Sequence, residues 1–543
     1  MRESRRQRWA VVFLIGLQVM VLLLFSAAKK GYFIDEIYSW GLSNSYYKPF
    51  VVSGDVFGRW VEGGEFLQYL TVQPGEAFAY GSVWYNQSMD VHPPLFYMML
   101  HTVCSFTPGV YATWQGMVLN VVFYVGCLLM VYLTARQLSS CKYMAMAAMA
   151  LWGLSPGGLS TGVYIRMYML ATFLTSVSVY LHVRMIRDGQ RVRWLFGICL
   201  ATFLGLLTQY YFVFMAFFLS GFYVLWKLGK KRWKEAAAYS VALFGSVGAM
   251  VCVFPACIIQ LTRTDEFVAA ETRNNLLGGG VVRNLISYIS SINMDFFGGW
   301  IRGAALVAAA TVAICLWMFF RKRKSAQKED TGRKNGKDVL RPEDEAALIL
   351  TLAAGFSFFA VSWIAVVPGV RYIYNLYPLL VILAVWWIVK LAVWCLGKGR
   401  GAGRLYAGLI LLMAVCYANG YRQGYVQYLY PENEERTQMA AMYRDLDCLY
   451  IDNYENAPLT QDLIELSGFH GVYIMPEEQI GQVNQILEGR DSQKGLIVYV
   501  DTNEFWSSGY DAGAVIARLK EETGYANARK LYTHELSETY ILE

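Results

Sequence analysis

The sequence predicts a polytopic α-helical membrane protein of about eleven transmembrane helices with a small C-terminal extracytoplasmic α/β domain. Three observations predict it: an apolar composition, runs of membrane-crossing length separated by short basic loops, and a turn to acidic composition near residue 430. Of the 543 residues 56% are hydrophobic and 16% charged, and the mean hydropathy is +0.33, values that do not describe soluble domains. The 16 Trp, 38 Tyr and 30 Phe suit many crossings, because amphipathic rings settle at the headgroup level. Residues 431–543 hold 8 Lys and Arg against 21 Asp and Glu, which leaves 39 against 20 for residues 1–430. Those basic residues fall in short loops between apolar runs, where they set orientation and do not call for nucleic acid. Disordered, fibrous and disulfide-rich secreted classes are excluded. Nine of the ten Cys lie in or beside apolar runs and Cys448 is alone in the tail, so neither a disulfide framework nor a Cys-based zinc site can be read.

The first element, Trp9 to Ala28, follows the basic segment RESRRQR and is long enough to cross the hydrocarbon core. Ser26-Ala27-Ala28 looks like a signal cleavage site, but the run is long for a signal peptide and Lys29-Lys30 follow at once, so the helix is retained. Further crossings are predicted at about 113–135, 142–158, 168–184, 194–208, 210–226, 236–259, 301–320, 346–367, 372–389 and 405–420. The basic loops at Arg136 and Lys142, 184–193, 227–234, 321–337 and 398–404 then all share the side of Arg2, which makes the N-terminus cytoplasmic and the C-terminal domain extracytoplasmic in a plasma-membrane protein. Pro93 to Phe106 is apolar but short, and counting it as a span would invert every later loop. It reads as an interfacial or re-entrant helix on the outer face. The expected division is a membrane domain over 1–420, with outer segments at 29–112 and about 260–300, and an extracytoplasmic domain over 421–543. In that tail, strand-like 448–452, 471–475, 495–500 and 538–542 alternate with helix-like 459–466, 476–487 and 512–522. No glycine-rich nucleotide motif opens any of these helices.

Three features carry chemistry. Asp35 and Glu36 in GYFIDEIYSW follow the first span directly. A loop carboxylate is ordinarily solvated, but these two sit among Phe33, Ile34, Ile37, Tyr38 and Trp40, on a segment that hugs the interface. A carboxylate kept there suits a general base or a cation ligand. Asp90 and His92 precede Pro93-Pro94, which fix an extended entry into the interfacial helix, and a His in that position caps structure as readily as it catalyses. Arg166 with Tyr168, and Arg371 with Tyr372, stand at the outer ends of two spans. One such Arg could snorkel. Two of them, each beside a Tyr, suit an anion such as phosphate, for which the guanidinium fork is shaped. Gln209, Tyr210 and Tyr211 lie at a further outer turn, where an aromatic belt also accounts for the rings.

The order DE after the first span, then DVHPPL, IRMYML, LTQYYF and VRYIYNLYPLL, resembles the GT-C glycosyltransferases. It is most similar to the bacterial glycosyltransferase family 39 group, with its protein O-mannosyltransferases and aminoarabinose transferases, over residues 1–420. The resemblance implies a sugar donor carried on polyprenyl or dolichyl phosphate, and a hexosyl or pentosyl transfer on the outer face. It also implies that Asp35 matches the catalytic carboxylate of the family's DE motif, with Glu36 beside it. Two departures stand out: YATWQGMVLN (111–120) lacks an Arg that family members often carry there, and Gln209 stands where a His is common.

The chemistry supports the same reading independently. An anomeric phosphodiester already has a good leaving group, so such an enzyme needs a base for the acceptor hydroxyl and cations for the departing phosphate. Asp35 supplies the first, and Arg371 with Arg166 the second, flanked by Tyr372 and Tyr168. Asp90, His92, Gln209 and Tyr210 would orient the acceptor or its loop. A single displacement inverts the anomeric carbon. The partners expected are the lipid-linked donor, the bilayer, and an acceptor that is an envelope glycan, a lipid or a protein. No cofactor follows from the residues. Asp35, Glu36, Asp90 and His92 together could hold a divalent metal, which spacing alone does not specify. A transporter or flippase of lipid-linked saccharides would share the basic inner loops, but no repeated halves are visible and the polar groups cluster at one face.

Overall fold

Runs of apolar residues with no partner in water become helices, since a helix alone satisfies its own backbone inside lipid. The computed structural model describes residues 5–51, 56–139, 141–262, 280–302, 341–396, 402–453, 456–490, 494–503 and 509–543. Among these, seven helices are long and apolar enough to cross a membrane: Arg5–Ala27, Thr113–Leu138, Tyr168–Asp188, Phe212–Gly229, Trp233–Val253, Pro342–Ile364 and Val370–Leu391. The chain is a multi-pass membrane protein. The shorter helix Val192–Leu206 occupies the span expected at 194–208, and Ala402–Arg422, 21 residues long, covers the last one expected, at 405–420. The expected crossing at 301–320 and the basic loop at 321–337 lie outside the described residues, save 301 and 302.

The expected span at 142–158 is two helices, Lys142–Gly153 and Pro156–Val163. Ser155 makes the break: its hydroxyl accepts from the Gly158 amide at 2.9 Å, and Pro156 follows at the first helical position, where its missing N–H costs nothing. A second departure is the helix Gly280–Phe297, in a stretch expected only to be outer loop. Its polar residues Asn284, Tyr288, Ser291 and Asp295 are buried while Val282, Ile286 and Ile289 are exposed. That inverted amphipathicity suits a helix whose outer face meets lipid.

Two compact units result, and their composition differs from the expected division at residue 420. One joins Met1–Ala27 to Met117–Gln427; the other joins Ala28–Gly116 to Tyr428–Glu543. In the membrane unit, His182 on the Tyr168–Asp188 helix meets the Tyr239 hydroxyl at 2.8 Å, and Tyr239 donates to Ser220 at 2.7 Å. Three helices are thereby tied by buried hydrogen bonds, each worth on average about 0.6 kcal/mol in a membrane protein. Gly162 lets the Pro156–Val163 helix approach the first span, since a Cβ there would stand 2.6 Å from Leu22.

In the second unit the first loop and the tail share one sheet. Its strands are β1 (Trp60–Val61), β2 (Asp447–Ile451), β3 (Gly471–Met475), β4 (Leu496–Asp501), β5 (Ala528–Thr533) and β6 (Ser537–Leu542), in the order β1-β3-β2-β4-β6-β5. The pairs β2–β3 and β2–β4 are parallel; β1–β3, β4–β6 and β5–β6 are antiparallel. The four expected strands are all present. The two unexpected ones left no pattern: β1 has only two residues, and β5 is largely exposed on both faces. Leu449, Ile451, Val498, Val500, Val515, Leu519 and Leu542 form the core between the sheet and the helix Ala512–Thr523. That helix starts at Asp511, whose carboxylate accepts from the Gly513 and Ala514 amides, and ends at Gly524 in the left-handed region (φ 79°).

Under the sheet, Arg436, only 2% exposed, donates to Asp462 and, at 3.1 Å, to Glu465. One guanidinium serves two carboxylates, and burial pushes the Glu465 carboxyl up to about 7 against the pull of Arg436. Replacing Arg436 by Met would leave Asp462 uncompensated in a dry site. Arg436→Met should therefore lower the unfolding free energy of this unit by about 3–5 kcal/mol. Urea titration of the full chain, followed by proteolysis of the tail, reads that loss; a midpoint equal to wild type would show that the network is solvated.

Candidate active site

The helix Ile34–Asn44 presents Asp35 at its first turn. Its start is fixed by Glu36, whose carboxylate accepts from the Phe33 amide at 2.9 Å and receives the Lys29 ammonium at 2.9 Å. Glu36 has no exposed surface, and Lys29 almost none. Lys29 also donates to the Tyr428 carbonyl and faces the rings of Tyr32 and Tyr430 at 5.3 and 5.8 Å. Burial pulls the Lys29 ammonium below its ordinary value, and Glu36 opposes that pull. Glu36 is thus committed to holding its own helix.

Asp35 lies one residue, about 100°, around that helix. It is half-buried, as is Tyr38 one turn on, while Ile37, Trp40 and Gly41 face inward. Trp40, Tyr32 and Tyr111 form an edge-to-face triangle with centroids 5.0 to 5.8 Å apart, and the Tyr32 hydroxyl meets Thr113 at 2.5 Å. Gly41 admits Tyr69 against the helix: a Cβ at that position would stand 2.0 Å from the Tyr69 ring. Tyr69 is fully buried, its hydroxyl donates to the Pro49 carbonyl at 2.9 Å, and burial together with the charge of Asp90 holds its pKa well above the ordinary value.

Asp90 ends the helix Tyr80–Met89, and its carboxylate meets His92 Nδ1 at 2.8 Å just before Pro93-Pro94 and the helix Leu95–Ser105. The two expected orienting residues thus form one pair. Glu36, one of the four residues that could hold a divalent metal, is bound to Lys29. Among the described residues no group of three or more His, Cys, Asp or Glu is gathered to hold a metal ion.

The cationic candidates lie in the membrane unit. Arg166 is buried in the turn between Pro156–Val163 and Tyr168–Asp188. Asn120 sets that turn by donating to the carbonyls of Gly162 and Tyr164 at 2.9 and 2.8 Å. Tyr168 stacks on Tyr164 (5.5 Å) and meets Tyr374 edge-on (6.5 Å), so its ring is a spacer between the Arg166 turn and the 3-10 segment Val370–Leu376 that carries Arg371. Arg371 is half-buried. Its guanidinium lies 5.4 Å from the Tyr372 ring, which stacks flat on Tyr211 at 4.5 Å, and Tyr288 lies within electrostatic reach of the same group.

At the 209–211 turn Tyr211 stacks on Tyr372 beside Arg371, Tyr210 donates to Gln260, and the Gln209 amide oxygen accepts from the Tyr211 backbone at 3.0 Å, which shapes the turn. Tyr288 was missed altogether, although Asn284, Tyr288, Ser291 and Asp295 recur at helical spacing in the sequence.

Comparison with known proteins bears on this geometry. Residues 91–259 match the family described as dolichyl-phosphate-mannose-protein mannosyltransferase. No curated protein matches the chain. Among solved structures, the chain is similar to ArnT from Cupriavidus metallidurans bound to undecaprenyl phosphate, with 14% identity, 98% of this chain and 97% of that chain covered, and a TM-score of 0.50. The apo state of the same protein gives 12% identity, 99% and 98% coverage and a TM-score of 0.48. The archaeal oligosaccharyltransferase AglB from Archaeoglobus fulgidus, in complex with an inhibitory peptide and a dolichol-phosphate, gives 10%, 91% and 70%, and 0.44. From the family match over residues 91–259 and the fold shared with ArnT over nearly its whole length, the chain is a multi-pass membrane protein of the GT-C glycosyltransferase fold.

Proposed function

We propose that this protein transfers a sugar from a polyprenyl-phosphate-linked donor to an acceptor hydroxyl on the extracytoplasmic face of the plasma membrane, with inversion at the anomeric carbon. The observation that carries the reading is the division of labour between two adjacent carboxylates. Glu36 is sealed and neutralised by Lys29, while Asp35 keeps an accessible edge on the helix that this pair holds rigid. The undecaprenyl phosphate found on ArnT, and the family match over 91–259, support a lipid-linked donor.

In the proposed step the acceptor O–H gives its proton to an Asp35 carboxylate oxygen as that acceptor oxygen attacks the anomeric carbon. The bond from that carbon to the phosphate oxygen breaks, and its electron pair stays on the phosphate. The leaving group gains one negative charge. Arg371 meets it with a planar fork, fixed by Tyr372 stacked on Tyr211, and Arg166 gives a second positive charge.

Three outcomes test this reading. Asp35→Asn should fold and bind donor while single-turnover transfer falls by about 10² to 10⁴, the usual worth of general-base assistance; transfer within a few-fold of wild type would move the base elsewhere, first to the Asp90–His92 pair. Arg371→Lys keeps the charge but loses the fork, so donor binding measured with polyprenyl phosphate should weaken, and wild-type affinity in Arg371→Ala would end the assignment. A reporter active only in the cytoplasm, fused after Glu543, should be silent; a signal would reverse the orientation and with it the outer-face chemistry.

A further inference from the structure

A cavity of about 200 Å³ lies within the unit built from Ala28–Gly116 and Tyr428–Glu543. It is lined by the aromatic residues Tyr32, Phe33, Tyr430 and Tyr532 with Gln461 and His534, and Glu432 and Glu535 give it negative charge. Among the described residues no Lys or Arg lines it.

The polar pair decides the ligand class. Gln461 is 9% exposed, and its amide nitrogen stands 3.0 Å from His534 Nε2. Two atoms of the pair, Gln461 Oε1 and His534 Nδ1, are buried with no hydrogen-bond partner. With the amide as placed, its NH₂ donates to Nε2, which leaves Nδ1–H as a free donor and Oε1 as a free acceptor. With the amide turned over, Nε2–H donates to the oxygen, and the free pair is an N–H donor on the amide and an acceptor at Nδ1. Either way one donor and one acceptor remain. Burial first, and then the charge of Arg436, pulls the His534 pKa down to about 4, so the ring stays neutral and this complementarity persists at neutral pH.

A phosphodiester or carboxylate only accepts, and an ammonium only donates. A hydroxyl does both. Four aromatic rings offer faces for the C–H surface of a sugar ring, and the two carboxylates accept from further hydroxyls while repelling anions. We propose that this cavity binds an uncharged saccharide ring of the acceptor substrate. The word acceptor rests on the transferase reading above, and the carboxylates exclude the phosphate-bearing donor. Tyr32 and Phe33 immediately precede the helix that carries Asp35, so a sugar seated here lies beside the segment assigned the base.

The test uses the full chain in lipid nanodiscs and saturation-transfer NMR with the methyl glycosides of glucose, galactose, mannose and N-acetylglucosamine, beside ethanolamine and inorganic phosphate. At least one glycoside should bind. Gln461→Leu and His534→Phe should each weaken it tenfold or more while polyprenyl phosphate binding is unchanged. Tyr532→Ala, at a half-exposed position, should weaken it as well and stands in if the buried variants do not fold. Binding of none of the glycosides, preferential binding of ethanolamine or phosphate at this cavity, or wild-type glycoside affinity in folded variants would overturn the proposal. Glycoside binding that depends on Gln461 without any sugar transfer would keep the cavity and remove the transferase reading. Transfer with an unchanged KM for the acceptor in all three variants would do the reverse.

Discussion

The buried ion pair between Lys29 and Glu36 is the interaction on which the candidate site depends. Taking both charges out of water costs several kcal/mol per ion, and the pair holds because each partner has a second bond: Lys29 to the Tyr428 carbonyl, and Glu36 to the Phe33 amide. Those bonds tie the residue that follows the first span, the first turn of the Ile34–Asn44 helix and the beginning of the tail to one point. Asp35 inherits its position from that point. A carboxylate that must act as a base needs a fixed backbone and an open edge, and Glu36 supplies the first so that Asp35 can keep the second.

The same logic recurs in the membrane unit with rings in place of charges. The flat stack of Tyr372 on Tyr211 fixes the segment that carries Arg371, and the Tyr164–Tyr168–Tyr374 series fixes its relation to the Arg166 turn. Aromatic faces suit this task inside a bilayer, since they hold a guanidinium by its face. The saccharide cavity of the other unit uses rings for a different end, as surfaces for a sugar face beside an amide–imidazole pair that a hydroxyl completes.

Hydropathy alone made the spans legible, because a run such as Thr113–Leu138 leaves no other state for its backbone in lipid. Short strand-like apolar runs between helical segments likewise exposed β2, β3, β4 and β6. The same reading failed for β1, whose two residues are too few to make a run, and therefore the membership of the first loop in the tail's unit could not be read. Hydropathy failed for the helix Gly280–Phe297 because polar residues on its buried side interrupt the apolar run.

The sequence by itself determined which residue types stand beside the spans: Asp35 and Glu36 after the first span, Arg166 and Arg371 at two span ends, Asp90 and His92 before the double proline. Residue type and distance from a span are local properties, and one dimension holds them. Which of two adjacent carboxylates is sealed and which stays open was decided only by tertiary structure. Lys29 and Tyr428 are 399 residues apart, and only the fold brings that carbonyl to the ammonium that binds Glu36. The stacking of Tyr211 on Tyr372, and the pairing of Gln461 with His534, have the same cause: each depends on which face of a turn or strand meets a distant segment, and no spacing along the chain encodes that.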